Sequence, residues 1–461
     1  MLLGSVSWLA LGGVATVEGG MADPQGGSVS AQAIETEISA PALDALLSLD
    51  QIAEQYVRLV LAVGLHDDGY VDAYYGPERW RAEVAEARPT LAQIRADAET
   101  AIAQLQAFAV PQEPMLRLRL RFLQRQLEAL VAQTHKLGGA KLSFDDEARA
   151  LYDVSPPAFD RVAHQAQLDR LDALLPAGAG SLSERYNAYL QRFTIPVERL
   201  ESVMRVTIDE ARRRTARRIR LPADEQFELA LVDGKSWSAY NWYQGNYRSR
   251  IEINTDLPVT AARVIELAVH EGYPGHHVYN SLLEQALVRG RGWVEYCVYP
   301  LFAPQSLIAE GSAEFAIDLT FSADERAAFY QEVLFPLAGF APEEARRYAQ
   351  VVDAGHFVGL ATIDAAREWL DGRATEQQTL QRLQDNALAT PERAHQRLAF
   401  FKHYRSYIVS YSLGESLVAR YVEALASGNP TTRWLVFADL LASPALPSDL
   451  VIPATASKPN P

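Results

Sequence analysis

A mainly α (α+β) fold, with one small antiparallel β-sheet set ahead of a broken helix, is what the sequence predicts. Three observations carry it. Apolar residues recur with the helical period over most of the chain. The period changes to two only between about residues 225 and 254. A chain of 461 residues, 48% hydrophobic, can also bury a large core and divide into two or three domains.

The first element is an apolar stretch, Leu2 to Val17, followed by the small residues Gly20-Met21-Ala22. A signal peptide over 1–22 is the expectation, and with it export to the periplasm or medium. No Lys or Arg precedes the run, so a cytoplasmic place is the alternative. The run is short and broken by glycines, so no stable membrane insertion is expected. Residues 23–41, rich in Gly, Ser and Ala, read as a flexible linker. A helical N-terminal region follows over 42–224, with helices expected at 42–64, 78–107, 113–136, 157–175 and 196–219. Its basic stretch Arg212-Arg213-Arg214-Thr215-Ala216-Arg217-Arg218 reads as a solvated helix face.

In the remaining region, 225–461, Tyr247, Ser249, Ile251 and Ile253 alternate with Arg248, Arg250, Glu252 and Asn254, as in a half-buried strand. An exposed edge of such a sheet can pair with an extended peptide through main-chain hydrogen bonds. Trp237, Tyr240, Trp242 and Tyr243 just upstream are candidates for apolar subsites or for the core of the sheet itself.

The stretch His270-Glu271-Gly272-Tyr273-Pro274-Gly275-His276-His277 carries the chemistry. Catalytic zinc needs imidazoles to hold it, an open position for water, and a carboxylate nearby to take a proton. In the His-Glu-x-x-His form the two histidines lie one helical turn apart. Here Pro274 stands where the second histidine would fall, and His276 and His277 come later. At ~100° per residue an unbroken helix would hold neither beside His270, because one is turned away and the other lies ~10 Å along the axis. A break at Pro274-Gly275 would bring His276 back.

Downstream, Ala309-Glu310-Gly311-Ser312-Ala313-Glu314-Phe315-Ala316 places two carboxylates at i and i+4 on an apolar helix. Burying them is costly unless they meet a cation. Glu310 would complete a His, His, Glu set, and Glu314 would orient a histidine or receive a substrate amine.

These two motifs, with Asp353-Ala354-Gly355-His356 and Tyr70-Val71-Asp72-Ala73-Tyr74-Tyr75-Gly76-Pro77, resemble the domain-of-unknown-function 885 family, grouped with gluzincin-type metallopeptidases. The resemblance runs from about Tyr70 to near residue 425. It implies a zincin-like helical metallopeptidase, with His270, His276 and Glu310 as ligands of one zinc ion and Glu271 as general base. Strand, Asp-Leu-Pro turn and metal helix follow in the gluzincin order. Ser312 departs from the family's usual Trp, and Ser410-Tyr411-Ser412-Leu413-Gly414 lacks the preceding Pro-Gly-Gln.

Amide hydrolysis also needs a donor to the developing oxyanion. His356 is the first candidate, oriented by Asp353 three residues earlier; Tyr411 is the second, with Tyr407, Arg405 and His403 in the same segment. A phenol or guanidinium there, Arg405 for instance, would alternatively bind a terminal carboxylate. His277 and Tyr247 are expected around the site, against imidazole and substrate.

The net charge of −15 argues against nucleic acid as a partner. A lone cysteine, Cys297, excludes an intrachain disulfide framework and a Cys-rich zinc site, and no motif marks it as a nucleophile. A di-iron bundle would need paired Glu-x-x-His elements, whereas only Glu392-Arg393-Ala394-His395 has the spacing. The expected partner is a peptide or small amide, with a non-peptide hydrolase or an inactive zincin scaffold as alternatives.

Overall fold

In the computed structural model, which describes residues 40–451 apart from 236, the helical periods become helices whose ends follow local chemistry. The expected leader and nearly all of the linker after it lie outside the described residues. Ala40–Val63, Pro114–Leu137, Arg161–Leu174 and Val197–Ala216 match expected helices to within a few residues. The stretch expected as one helix over 78–107 is two, Glu78–Ala87 and Leu91–Ala107. Arg88 adopts φ 44°, Pro89 follows it, and Thr90 starts the second helix with a reciprocal capping box to Gln93. Buried residues from Leu49 to Leu450 join in one hydrophobic cluster.

Among the described residues five strands form two sheets. β1 (Val71–Tyr74) pairs antiparallel with β5 (Val298–Pro300). The sheet ahead of the motif contains β2 (Gln226–Val232), β3 (Ala239–Tyr243) and β4 (Arg248–Asn254), in the order β2-β4-β3. Its β3-β4 pair is antiparallel, while β2 lies parallel to β4 because the chain passes across β4 before β3 begins. Ser249, Ile251 and Ile253 are buried, as the period-two pattern requires. Ile251 Cδ1 comes to 3.8 Å from where a Cβ on Gly272 would sit, so the inner face of β4 packs directly on the motif.

β3 is an edge strand. Ser238 O accepts from Asn254 N and Gln244 N donates to Arg248 O, both at 2.9 Å, so even-numbered residues turn their main-chain groups toward β4. By strand alternation those of Ala239, Asn241 and Tyr243 lie on the open edge.

The helix Pro304–Thr320 is buried along nearly its whole length and carries Glu310 and Glu314. The helix Ser412–Ala426 crosses it at two glycines. A Cβ on Gly311 would lie 2.3 Å from the carbonyl carbon of Gly414, so the backbones meet where no side chain fits. Cys297 is buried against Gly76, and burial, with Glu295 nearby, pushes its thiol up to about 12, which makes it an inert core residue. Arg213 and Arg214 pair with Glu210 along the surface, but Arg212 reaches inward to the buried Glu225, an exception to the solvated-face expectation. Among the described residues no helix is long and apolar enough to cross a membrane.

Candidate metal centre

The motif begins on the helix Ala261–Leu267, capped by the Thr260 side chain, and widens into a π-helical turn over Ala268–Gly272 that holds His270 and Glu271. π-Turns of this kind recur at functional sites. The chain then breaks at the cis Tyr273–Pro274 bond and restarts as a helix at His276. Gly275 makes the restart possible, since a Cβ there would lie 2.0 Å from the His270 carbonyl oxygen and 2.3 Å from that of Val269. The break brings the rings of His270 and His276 to 4.6 Å between centroids, nearly perpendicular at 87°.

Glu310 completes the cluster. Its Oε2 lies 3.3 Å from His270 Nε2 and 3.7 Å from His276 Nε2, and one ligand atom from each of the three residues falls within 4.8 Å of the others. Ligands of a tetrahedral zinc with bonds of ~2.0–2.1 Å stand about 3.3–3.5 Å apart, a separation that the His270–Glu310 pair meets and the His276–Glu310 pair slightly exceeds. The hydrogen bonding fits as well. Tyr407 donates its hydroxyl to Glu310 Oε1 at 2.7 Å, while the buried Oε2 has no hydrogen-bond partner. Burial alone would raise the Glu310 pKa, yet His270 and His276 hold it well below the carboxylate range. Burial would likewise lower that of His270, but Glu310 and Glu314 push it well up. Without an ion the cluster favours a proton where a metal would otherwise sit. Glu314 Oε1 faces the far nitrogen of His270, Nδ1, at 3.4 Å, the position from which a carboxylate orients a ligand imidazole.

Glu271 is a largely buried residue whose carbonyl oxygen accepts from Asn241 Nδ2 at 2.6 Å. β3 therefore fixes the backbone that carries Glu271. Tyr411 stands near all three acidic groups: burial, then Glu310, Glu314 and Glu271, raise its pKa well above the ordinary value, so its phenol stays protonated. Asp72 on β1 enters the same field. Its pKa is raised to about 7 by burial, opposed by His276 and reinforced by Glu310 and Glu271, and it accepts a hydrogen bond from Tyr240. Asp72 and Asn241 are site residues to which spacing gave no role, because each comes from an element distant in sequence, and Tyr407, expected beside Tyr411 as a donor to substrate, instead donates to Glu310.

Other expected residues stand elsewhere. His277 is fully buried and turned into the core, with Nε2 at 2.9 Å from Glu225 and Nδ1 at 2.8 Å from Ser249 Oγ, so it does not surround the ion. Asp353 does not orient His356. The helix that carries Asp353 ends at Ala354, and its carboxylate pairs with Arg326 at 2.9 Å. His356, half exposed, pairs instead with Glu415 at 3.0 Å. Arg405 is turned away to Glu147 at 2.6 Å, and Tyr247 lies under Arg289 at the far end of the sheet. Ser312 is buried and bonds back to Ala309 O within its own helix.

No family model and no curated protein matches the chain. Among solved structures it is similar to a presumed lipoprotein from Colwellia psychrerythraea, with 16% identity, a TM-score of 0.49, and 84% of this chain and 76% of that one covered. It is similar also to a presumed lipoprotein of unknown function from Shewanella oneidensis, with 13% identity, a TM-score of 0.41 and 79% of each chain covered. Trypanosoma cruzi metallocarboxypeptidase 1 is a third, with 14% identity, a TM-score of 0.41, and 86% of this chain and 90% of that one covered. At these identities and scores the likenesses carry no functional argument, and the chemistry rests on the side chains described above.

Proposed function

We propose that the chain is a metal-dependent hydrolase that cleaves peptide bonds, with His270, His276 and Glu310 holding one divalent cation and Glu271 acting as general base. The observation that carries this reading is the convergence of three ligand atoms within 4.8 Å of one another, with the buried Glu310 Oε2 lacking a hydrogen-bond partner among the described residues and Glu271 following His270 in the same turn. Zinc suits this donor set and would supply Lewis acidity to the carbonyl and to water.

The remaining steps belong to the protein. Glu271 takes the proton of the attacking water and returns it to the leaving nitrogen. The protonated phenol of Tyr411 donates to the carbonyl oxygen as negative charge develops there. Tyr407 holds Glu310, and Glu314 holds the far side of His270, so both ligands keep their orientation. The open edge of β3 offers main-chain groups to an extended peptide, which supports peptides as the substrate class.

The test is a Glu271→Gln variant loaded with zinc. Metal content should match the wild type, while turnover of a peptide panel falls by about 10²- to 10⁴-fold. Wild-type turnover by that variant would remove Glu271 as base. Cleavage of esters or non-peptide amides with peptides left intact would replace the substrate class.

A further inference from the structure

The chain carries a net charge of −15, yet one cavity in it is lined by five arginines: Arg213, Arg214, Arg217, Arg218 and Arg433. The cavity lies where the helices Val197–Ala216 and Pro304–Thr320 end and where the helix Pro430–Leu441 begins. Its volume is about 460 Å³, within the ~300–1,000 Å³ of small-ligand sites.

Three of the arginines are held in place by carboxylates. Arg213 and Arg214 pair with Glu210, and Arg214 pairs with Glu325 at 2.7 Å while donating to the Thr320 carbonyl oxygen at 3.2 Å. The guanidinium of Arg214 also lies over the Phe321 ring, 4.3 Å from its centroid. Arg433 pairs with Glu423 and lies 5.4 Å from the centroid of Phe315. Asp318, another acid of the lining, is taken by Arg326 at 2.6 Å. Arg217 and Arg218 follow the last helical residue, Ala216, and are exposed; they form no ion pair among the described residues. Glu210, Glu325 and Glu423 thus answer the other arginines, and two positive charges are left over.

The end of a helix attracts basic residues to its last carbonyls, and Arg214 meets that need. It does not account for an open cavity between the arginines, nor for a hydroxyl in its wall. Thr320 lines the cavity at 3% exposure, and its buried Oγ1 has no hydrogen-bond partner among the described residues. The hydroxyl adds one donor to a lining already short of acceptors. Clefts lined by one sign of charge concentrate ions of the other.

We propose that this cavity binds a small anion bearing a phosphoryl group, with Arg217 and Arg218 supplying the charge that no carboxylate answers. Guanidinium forks match phosphate oxygens through paired charge-assisted hydrogen bonds. The site is separate from the metal centre. Thr320 lies ten residues beyond Glu310 on one helix, which is ~15 Å at ~1.5 Å per residue. It stands whether or not the metal centre cleaves peptides.

The experiment is calorimetric titration of the zinc-loaded protein with ADP, inorganic phosphate and succinate. ADP and phosphate should both bind. The double variant Arg217→Met, Arg218→Met should bind both about 10- to 100-fold more weakly, with zinc content and melting temperature unchanged. Tighter binding of ADP would assign the site to a phosphorylated organic molecule, and equal binding to free phosphate. Failure of both to bind would overturn the proposal. Affinity that survives the double substitution would overturn it too, since the anion would then sit on the zinc ion. So would succinate that binds as tightly as ADP, because the cavity would then read negative charge alone.

Discussion

Two histidine-glutamate clusters lie on opposite sides of the same helix break, and they are built from adjacent residues. His276 faces the cleft with His270 and Glu310; His277 faces the core with Glu225. The core cluster uses its hydrogen-bonding capacity fully: both nitrogens of His277 are bonded, and Glu225 also receives Tyr273 and Arg212. The cleft cluster leaves Glu310 Oε2 without a hydrogen-bond partner among the described residues. Residue type is the same in both. What separates the structural site from the candidate catalytic one is coordination left unmet at a point where three ligand atoms converge.

The sharpest way to break this comparison is to remove each histidine in turn. His276→Ala should lower zinc affinity by more than about 100-fold, beyond what outer groups contribute, with little change in the melting temperature of the metal-free protein. His277→Ala should do the opposite. It breaks a fully buried pair, and since Arg212 and Tyr273 still attend Glu225, the expected cost is about 3 kcal/mol in denaturant unfolding, with zinc stoichiometry preserved. If the two variants behaved alike, the division between cleft and core would not hold.

A smaller effect tests how the cleft cluster is held. Tyr407→Phe removes the single hydrogen bond that anchors Glu310 Oε1, and should weaken zinc binding by about 10- to 100-fold. Unchanged affinity, measured by competition with a chelator, would mean that Glu310 is positioned by its helix alone.

The smallest effect concerns the rim. Glu415 raises the His356 pKa from 6.5 to about 9, against burial that lowers it. A raised pKa stabilises the fold fully below the unfolded value, and the stabilisation is lost as pH rises through the folded one. His356→Ala should therefore lower the melting temperature more near pH 6 than near pH 10. The side chain is half exposed, so the difference will be modest. Equal losses at both values would remove the pair from the rim.

Much of this arrangement could be read from the chain, and the parts that could not share a cause. Helix periods and the alternation in β4 survive folding because each records which face is buried. The Glu310 and Glu314 spacing likewise placed two carboxylates on one helix, and both reach His270. Position across a break is different. Periodicity could not choose between His276 and His277, because the π-turn and the restart at Gly275 reset the helical phase. Asp353 and His356 were three apart on an assumed helix that in fact ends between them at Ala354. Asp72, Asn241 and Tyr407 reach the site from β1, β3 and the segment before the last crossing helix, and no local pattern encodes such a meeting.

The contact between Gly311 and Gly414 has a consequence for how the protein can vary. Two main chains touching without intervening side chains set the separation of their helices like a fixed gauge block, and Glu310 and Tyr411 sit immediately beside it. The reach from phenol to carboxylate is then a dimension of the scaffold, indifferent to rotamer choice. Residues around the candidate site can change while the separation of the two main chains beside Glu310 stays set.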